Sequence, residues 1–307
     1  MASLRSKLLL FMLRHKDFFK AKSKRLTRID TVEDIYRFRE IVEKEAEKFA
    51  KLPKDLKVEP IDIEGLYAEW LKIDHSPVKR AILYFHGGGL VSGSAKSHRG
   101  IVAKFVKATG INALTFDYAL APEHPYPAGL NDALKAYGIL LEIVKDSQNI
   151  LLMGDSGGGN LVLALLLLLK QKSIALPAGA ITLSAWTDLT NSGESNITNR
   201  PVDKLTIENA NEIFSTAYCN GKDPKDPLIS PLFGDLSGLP PLLMFAGDDE
   251  VMRDDTVRFA RKAKEAGVTV QVEVKEGMFH CYPAVAPLIP EANDAMDKII
   301  SFVNQQL

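Results

Sequence analysis

Asn149-Ile150-Leu151-Leu152-Met153-Gly154-Asp155-Ser156-Gly157-Gly158-Gly159-Asn160 runs directly into nine apolar residues, Leu161 to Leu169, closed by Lys170. An apolar run short enough for a buried strand is followed by G-x-S-x-G, and then by a stretch that fits a buried helix. Taken alone the pentapeptide is weak, with about 0.1 chance copies in a chain of this size. Its setting strengthens it. A strand that feeds a helix through a very tight turn presents the middle serine at the helix amino terminus. Side chains on both flanks of that turn would collide, hence glycine at 154 and 158. Backbone N–H groups and the helix dipole favour negative charge there. Ser156 is therefore the candidate nucleophile. A phosphate-binding helix start is the alternative, but the segment lacks the lysine of a phosphate loop and the spacing of a dinucleotide fingerprint.

Outward from this turn, short apolar strands alternate with helical stretches. The strands are predicted at Ala81–Phe85, Ala113–Phe116, Ile150–Met153, Gly179–Leu183, Leu242–Ala246 and Val268–Val274, and the helices at 97–108, 129–145, 157–171, 255–266 and 291–303. Such alternation means a mostly parallel sheet with helices on both faces. Upstream, Val58, Ile61 and Ile63, then Leu66, Trp70 and Ile73, alternate about Gly65 and read as a hairpin. The hairpin and six strands make an α/β sheet of about eight. Residues 1–55, which read as helical, and the polar insertion 187–230 break the rhythm. Both are candidates for a helical cap over the carboxyl edge of the sheet, where ligands bind in open α/β sheets.

A nucleophilic serine needs a base, an orienting acid and donors for the oxyanion. His86-Gly87-Gly88-Gly89 closes the first parallel strand, and its glycines allow backbone N–H groups to approach a substrate. Of six histidines, His280 follows the last strand, where α/β-hydrolases carry theirs. His86 more naturally braces the glycine loop, and His15, His75, His98 and His124 have no comparable setting. The acid is expected after the strand ending at Ala246, in Gly247-Asp248-Asp249-Glu250-Val251-Met252-Arg253-Asp254-Asp255. Asp254 and Asp255 suit a helix start; Asp248 and Asp249 both fall on the loop.

Together these motifs resemble the hormone-sensitive-lipase family, also called bacterial lipolytic family IV, of α/β-hydrolase carboxylesterases. The likeness rests on His86–Gly89, on Gly154–Asn160 and on Asp117-Tyr118-Ala119-Leu120-Ala121-Pro122-Glu123-His124-Pro125-Tyr126-Pro127-Ala128. It continues through Trp186-Thr187-Asp188-Leu189, Pro227–Leu232, Gly247–Val251 and Gly277–His280. The resemblance implies Ser156, Asp249 and His280 as the triad, with N–H groups of Gly88, Gly89 and Gly157 as the oxyanion hole. It implies no cofactor and no metal. Three positions depart from the family pattern. Gly157 stands where alanine is usual, which keeps the backbone donor and predicts a looser turn. Ala119 stands where arginine is common, which predicts a missing ion pair. Cys281 puts a thiol beside the candidate base, where oxidation or alkylation would block His280.

With 307 residues, 46% apolar and 25% charged, the chain has an ordinary globular composition, and its net charge of −1 argues against nucleic acid as a partner. The charge is unevenly spread: residues 1–28 hold nine Lys/Arg and one acid. The run Leu8 to Leu13 is short for a signal-peptide core and is followed by Arg14-His15-Lys16. An amphipathic cap helix is expected there; an organelle transit peptide or a weak membrane-surface anchor is the alternative. Two cysteines, Cys219 and Cys281, read as free thiols in a reducing compartment, and a cytoplasmic location is expected. The expected partner is a small ester. An amidase or deacetylase with the same triad is an alternative. So is a non-catalytic receptor of the kind that plant gibberellin receptors represent, which resemble this family but have lost the histidine.

Overall fold

The computed structural model describes residues 2–14, 26–48, 52–73, 77–203 and 205–307. One sheet carries β1 (Lys57–Ile63), β2 (Leu66–Lys72), β3 (Ala81–Phe85), β4 (Asn112–Phe116), β5 (Ile150–Asp155), β6 (Gly179–Leu183), β7 (Leu242–Gly247) and β8 (Val270–Lys275). Their spatial order is β1-β2-β4-β3-β5-β6-β7-β8. β2 runs antiparallel to both its neighbours and the remaining pairs are parallel. The hairpin is as expected: Ile63 faces Leu66, and Glu64 and Gly65 both have positive φ, the two-residue turn that fits strand twist.

The unbroken apolar runs follow from burial on both faces. Ala81, Leu83 and Phe85 of β3 enter one core, and Ile82 and Tyr84 enter the other. The first core is closed by α4 (Ala128–Val144), α5 (Ser156–Gln171) and α8 (Arg253–Glu265). The second is closed by α3 (Ala95–Thr109) and α9 (Pro290–Gln306). Residues Ser156 to Leu169 of α5 are all buried, as a helix apolar on every side requires. β8 begins at Val270 rather than Val268, because the Val268 and Gly267 N–H groups bond back to Ala263 and Lys264 and close α8.

The two irregular regions meet. Ile29 N–H donates to Glu208 O at 3.0 Å, and Phe38, on α2 (Val32–Lys48), packs at 5.3 Å against Phe214 of α7 (Ala210–Cys219). Between them the insertion forms a one-turn helix, α6 (Ser195–Thr198). The amino-terminal helix α1 (Leu4–Arg14) docks elsewhere, on the start of α9: Ser6 Oγ donates to Glu291 Oε2 at 2.6 Å. Among the described residues no helix is long and apolar enough to cross a membrane. His15 and His75 lie outside the described residues.

Candidate active site

The turn from β5 to α5 is strained. Ser156 has φ +53°, a conformation that L residues rarely hold. Its tightness accounts for the glycines. A Cβ built at Gly154 would fall 2.7 Å from Gly158 C, and one at Gly158 would fall 2.2 Å from Phe85 O. The looseness predicted from Gly157 is absent: a Cβ there would stand 2.8 Å from Leu90 N and 3.1 Å from Gly89 N. The serine turn and the glycine loop are thus in direct backbone contact. In the first turn of α5 the Gly157 N–H has no acceptor inside the helix. The loop itself turns back sharply, with Gly88 and Gly89 at φ +120° and +65° and Ser92 Oγ donating to Gly88 O at 2.8 Å. Phe214 covers it, its ring lying 2.4 Å from where a Gly89 Cβ would be.

A buried polar network joins strand, loop and turn. Asp155 Oδ1 accepts from Tyr84 Oη at 2.7 Å and from Gly87 N–H at 3.1 Å. Asp155 Oδ2 lies 3.5 Å from His98 Nε2. Burial works against charge on His98, but the Asp155 carboxylate outweighs it and raises its pKa. His86 does brace the loop. Its ring stacks on Tyr118 at 4.1 Å, Tyr118 Oη donates to His86 O at 2.7 Å, and Nδ1 lies 3.0 Å from Gly87 O. Burial, with His98 nearby, pushes its pKa down to about 3, so the ring is neutral. The ion pair expected to be missing at Ala119 has a substitute. Ala119 N–H donates to Asp132 at 2.8 Å, and Arg39 from α2 pairs with Glu123 and donates to Ala121 O.

His280 lies on the loop after β8. Cys281 fixes that loop against β6: its N–H donates to Ser184 Oγ at 2.9 Å and its Sγ lies 3.5 Å from Leu183 O. Leu183 in turn pairs with Asp155 across the sheet, and Trp186 N–H donates to Ser156 O at 3.2 Å. Serine and histidine therefore share the carboxyl edge of the sheet. No hydrogen bond joins Ser156 Oγ to His280 among the described residues, and such bonds commonly tighten only when substrate is bound.

The acid was expected at Asp249, and the residue after it is the one that meets the histidine. The carboxylate on His280 is that of Glu250, with Oε2 2.6 Å from Nδ1. The turn explains it. Asp249 N–H donates to Met278 O at 3.0 Å, which sets the course of the loop beside the histidine segment. The next side chain, fully buried Glu250, folds back so that Oε1 accepts from Gly247 N–H at 3.0 Å while Oε2 meets the imidazole. Burial alone would lower the His280 pKa, but the neighbouring Cys281 and Glu250 side chains hold it well above 6.5. The insertion clamps this acid loop. Asn199 Nδ2 donates to Asp248 O at 2.8 Å and to Glu250 O at 2.9 Å, and Val251 N–H donates to Asp203 Oδ2 at 3.0 Å. Asp254 and Asp255 have the structural parts expected of them: Asp254 accepts from Ser195 N–H and Asp255 from Thr187 and Asp188 N–H groups. The sequence reading passed over Glu250, Asn199 and His98. Only for His98 was a signal present, a histidine in the first turn of a helix that starts just after the glycine loop.

Comparison with known proteins agrees with this architecture. Residues 82–284 match the family described as alpha/beta hydrolase fold. An esterase of Acinetobacter venetianus is 36% identical over 248 residues, covering 80% of this chain and 82% of that protein. An acetyl-hydrolase of Streptomyces hygroscopicus is 37% identical over 240 residues, 77% of this chain and 79% of its own. The crystal structure of EstE5 superposes with a TM-score of 0.90 at 36% identity over 99% of both chains. That of an esterase from the bacterial hormone-sensitive lipase family does so with 0.88 at 34% identity, over 100% of this chain and 99% of that one. The chain belongs to the α/β-hydrolase fold family and, within it, to the carboxylic-ester hydrolases of the hormone-sensitive lipase group.

Proposed function

We propose that this carboxylic-ester hydrolase works through Ser156, His280 and Glu250, by a covalent acyl-enzyme on short- to medium-chain acyl esters. The observation that carries this reading is the 2.6 Å contact of Glu250 Oε2 with His280 Nδ1, on the sheet edge that also holds Ser156 at φ +53°. A carboxylate on Nδ1 fixes the tautomer that leaves Nε2 free to accept a proton.

In the first half-reaction the Ser156 hydroxyl proton passes to His280 Nε2 as Oγ bonds to the ester carbonyl carbon. The carbonyl oxygen becomes an oxyanion, held by the N–H groups of Gly88, Gly89 and Gly157. Collapse breaks the bond to the alcohol oxygen, which takes the proton from His280. In the second half-reaction water gives a proton to His280 and attacks the acyl carbon, and Ser156 leaves with that proton. Glu250 stabilises the charged imidazole in both steps. The cap in this reading is made by the described residues of 26–48 and 187–230, with Phe214 over Gly89 limiting the depth available to the acyl chain. Relatives named acetyl-hydrolase and ethyl acetate hydrolase support short acyl groups.

The test is a fluorophosphonate probe with p-nitrophenyl esters of graded chain length. Label on Ser156, with turnover highest for short chains, is the expected result. A folded enzyme that neither labels nor turns over would reject the mechanism and favour a receptor; faster turnover of amides than of matched esters would favour an amidase.

A further inference from the structure

Helix α1 has two apolar faces, and the protein uses one. Ser6 is buried on Glu291, Ser3 N–H and Oγ also donate to Glu291, and Leu9 and Leu10 pack on the core beneath α9. Leu4, Leu8 and Met12, spaced to share the other side of the helix, are 87%, 58% and 45% exposed. Single exposed leucines are ordinary, but three in one row on a helix of 11 residues form a continuous apolar strip. Arg5 and Lys7 on the same helix are exposed. Residues 2–14 carry Arg5, Lys7 and Arg14 and no acid.

From this pairing of an outward apolar strip with one sign of charge, we infer that α1 is an interfacial helix that rests the enzyme on an anionic lipid surface. At about 16 Å long it is half the thickness of a hydrocarbon core, so it lies in the plane of the headgroups instead of crossing. Its inner face remains on the protein, which fixes the orientation of the whole enzyme on the surface. That orientation suits the site. A Cβ at Gly277 would lie 3.1 Å from Ala2, so the helix begins beside the loop that carries His280. Esters held in the surface layer would then meet the sheet edge that holds the site.

The experiment is flotation of the full-length protein with vesicles of phosphatidylcholine alone and with roughly 30 mol% phosphatidylglycerol, at low and high salt. Wild type, the Leu4→Glu/Leu8→Glu variant and the Arg5→Gln/Lys7→Gln variant are compared. Circular dichroism and turnover of a soluble ester serve as controls of folding. The expected result is binding to anionic vesicles that salt weakens and that each variant cuts about tenfold or more, with soluble turnover kept. Three outcomes overturn the inference: no flotation of wild type, equal flotation of wild type and the Leu4→Glu/Leu8→Glu variant, or equal binding to neutral and anionic vesicles. A dimer seen by light scattering that this variant abolishes, without vesicle binding, would assign the strip to a second copy of the chain and overturn it as well.

Discussion

Glu250 Oε2 stands 2.6 Å from His280 Nδ1, and the other oxygen of the same carboxylate is held by Gly247 N–H. Both oxygens are therefore committed, and the acid cannot swing away from the ring without leaving a buried donor unpaired. Glu250→Gln should lower kcat on the order of 10³–10⁴-fold with little change in KM, because the imidazole loses both its tautomer and its counter-charge. Asp249→Asn should lower kcat far less, since it leaves the contact of Glu250 with His280 and the backbone bond of Asp249 N–H to Met278 O in place. A large loss in Asp249→Asn with a small one in Glu250→Gln would restore Asp249 as the acid.

The same pair sets a pH dependence. In the proposed mechanism His280 works as the base when neutral, and its pKa in the folded enzyme is raised above 6.5, against burial, by Cys281 and Glu250. Activity should therefore rise with pH along a limb placed above pH 6.5. In Glu250→Gln the residual activity should show that limb at lower pH, since an opposing charge has gone while burial remains. A limb that does not move would mean that Glu250 does not act on the imidazole.

Asn199 reaches the acid loop from the insertion and satisfies two of its carbonyls, those of Asp248 and Glu250. Asn199→Ala takes this donor from the partly buried Asp248 carbonyl, while Glu250 O keeps the Arg253 N–H at 3.2 Å, at a cost of about 1–2 kcal/mol in stability. The loop should also lose its fixed course, lowering kcat about tenfold while KM for a short ester holds. Urea denaturation and steady-state kinetics measure the two effects. A drop in stability with unchanged kcat would show that the clamp is structural only.

The sheet could be read from the sequence because strands buried on both faces are apolar without interruption, as in Ile150–Met153 and Leu242–Ala246. The edge strand was misplaced by two residues because Val268 is apolar for another reason, the closing of α8. The tight turn that carries Ser156 was legible because steric crowding demands glycine at 154 and 158. The acid was not. Asp248, Asp249 and Glu250 are chemically alike, and which one faces His280 depends on the direction of one turn. That direction is set by the bond from Asp249 N–H to Met278 O, to a residue 29 positions away. The docking of α1 was likewise hidden, since a helix apolar on two sides does not declare which side the protein covers.

Gly158 of α5 lies against the end of β3. A methyl group there would meet Phe85 O at 2.2 Å and His86 O at 2.4 Å, both backbone atoms that hold the glycine loop. Gly158→Ala should destabilise the fold by about 1–3 kcal/mol and reduce turnover further than that loss explains, because the loop must move. Near-normal turnover in a variant of normal stability would show that loop and helix separate freely.

Cys281 is a thiol beside the base, partly buried, with Sγ on Leu183 O. Burial raises its pKa, and the nearby His280 offsets only part of that. Alkylation by iodoacetamide should thus be slow at neutral pH and still be accelerating at about pH 9. Loss of esterase activity should follow labelling of Cys281 one for one, with Cys281→Ser protected. Complete labelling by mass spectrometry with full activity would free His280 from any control by the thiol.

Glu291 ties α1 to the body of the protein, and its pKa responds to the tie. Burial raises it, but the Ser6 hydroxyl, the Ser3 N–H and its own backbone N–H bring it down to about 2, from 4.5. A depressed carboxylate stabilises the fold above its unfolded pKa and loses that contribution as pH falls toward the folded value. The docking of α1 should therefore be at full strength above about pH 4.5 and weaken between there and about pH 2. Glu291→Gln should remove about 1–3 kcal/mol at neutral pH and abolish that dependence. Limited proteolysis near residue 14, followed across pH, reads this directly. Cleavage that is equally slow in both proteins at pH 7 would show that the apolar contacts of Leu9 and Leu10 hold the helix without Glu291.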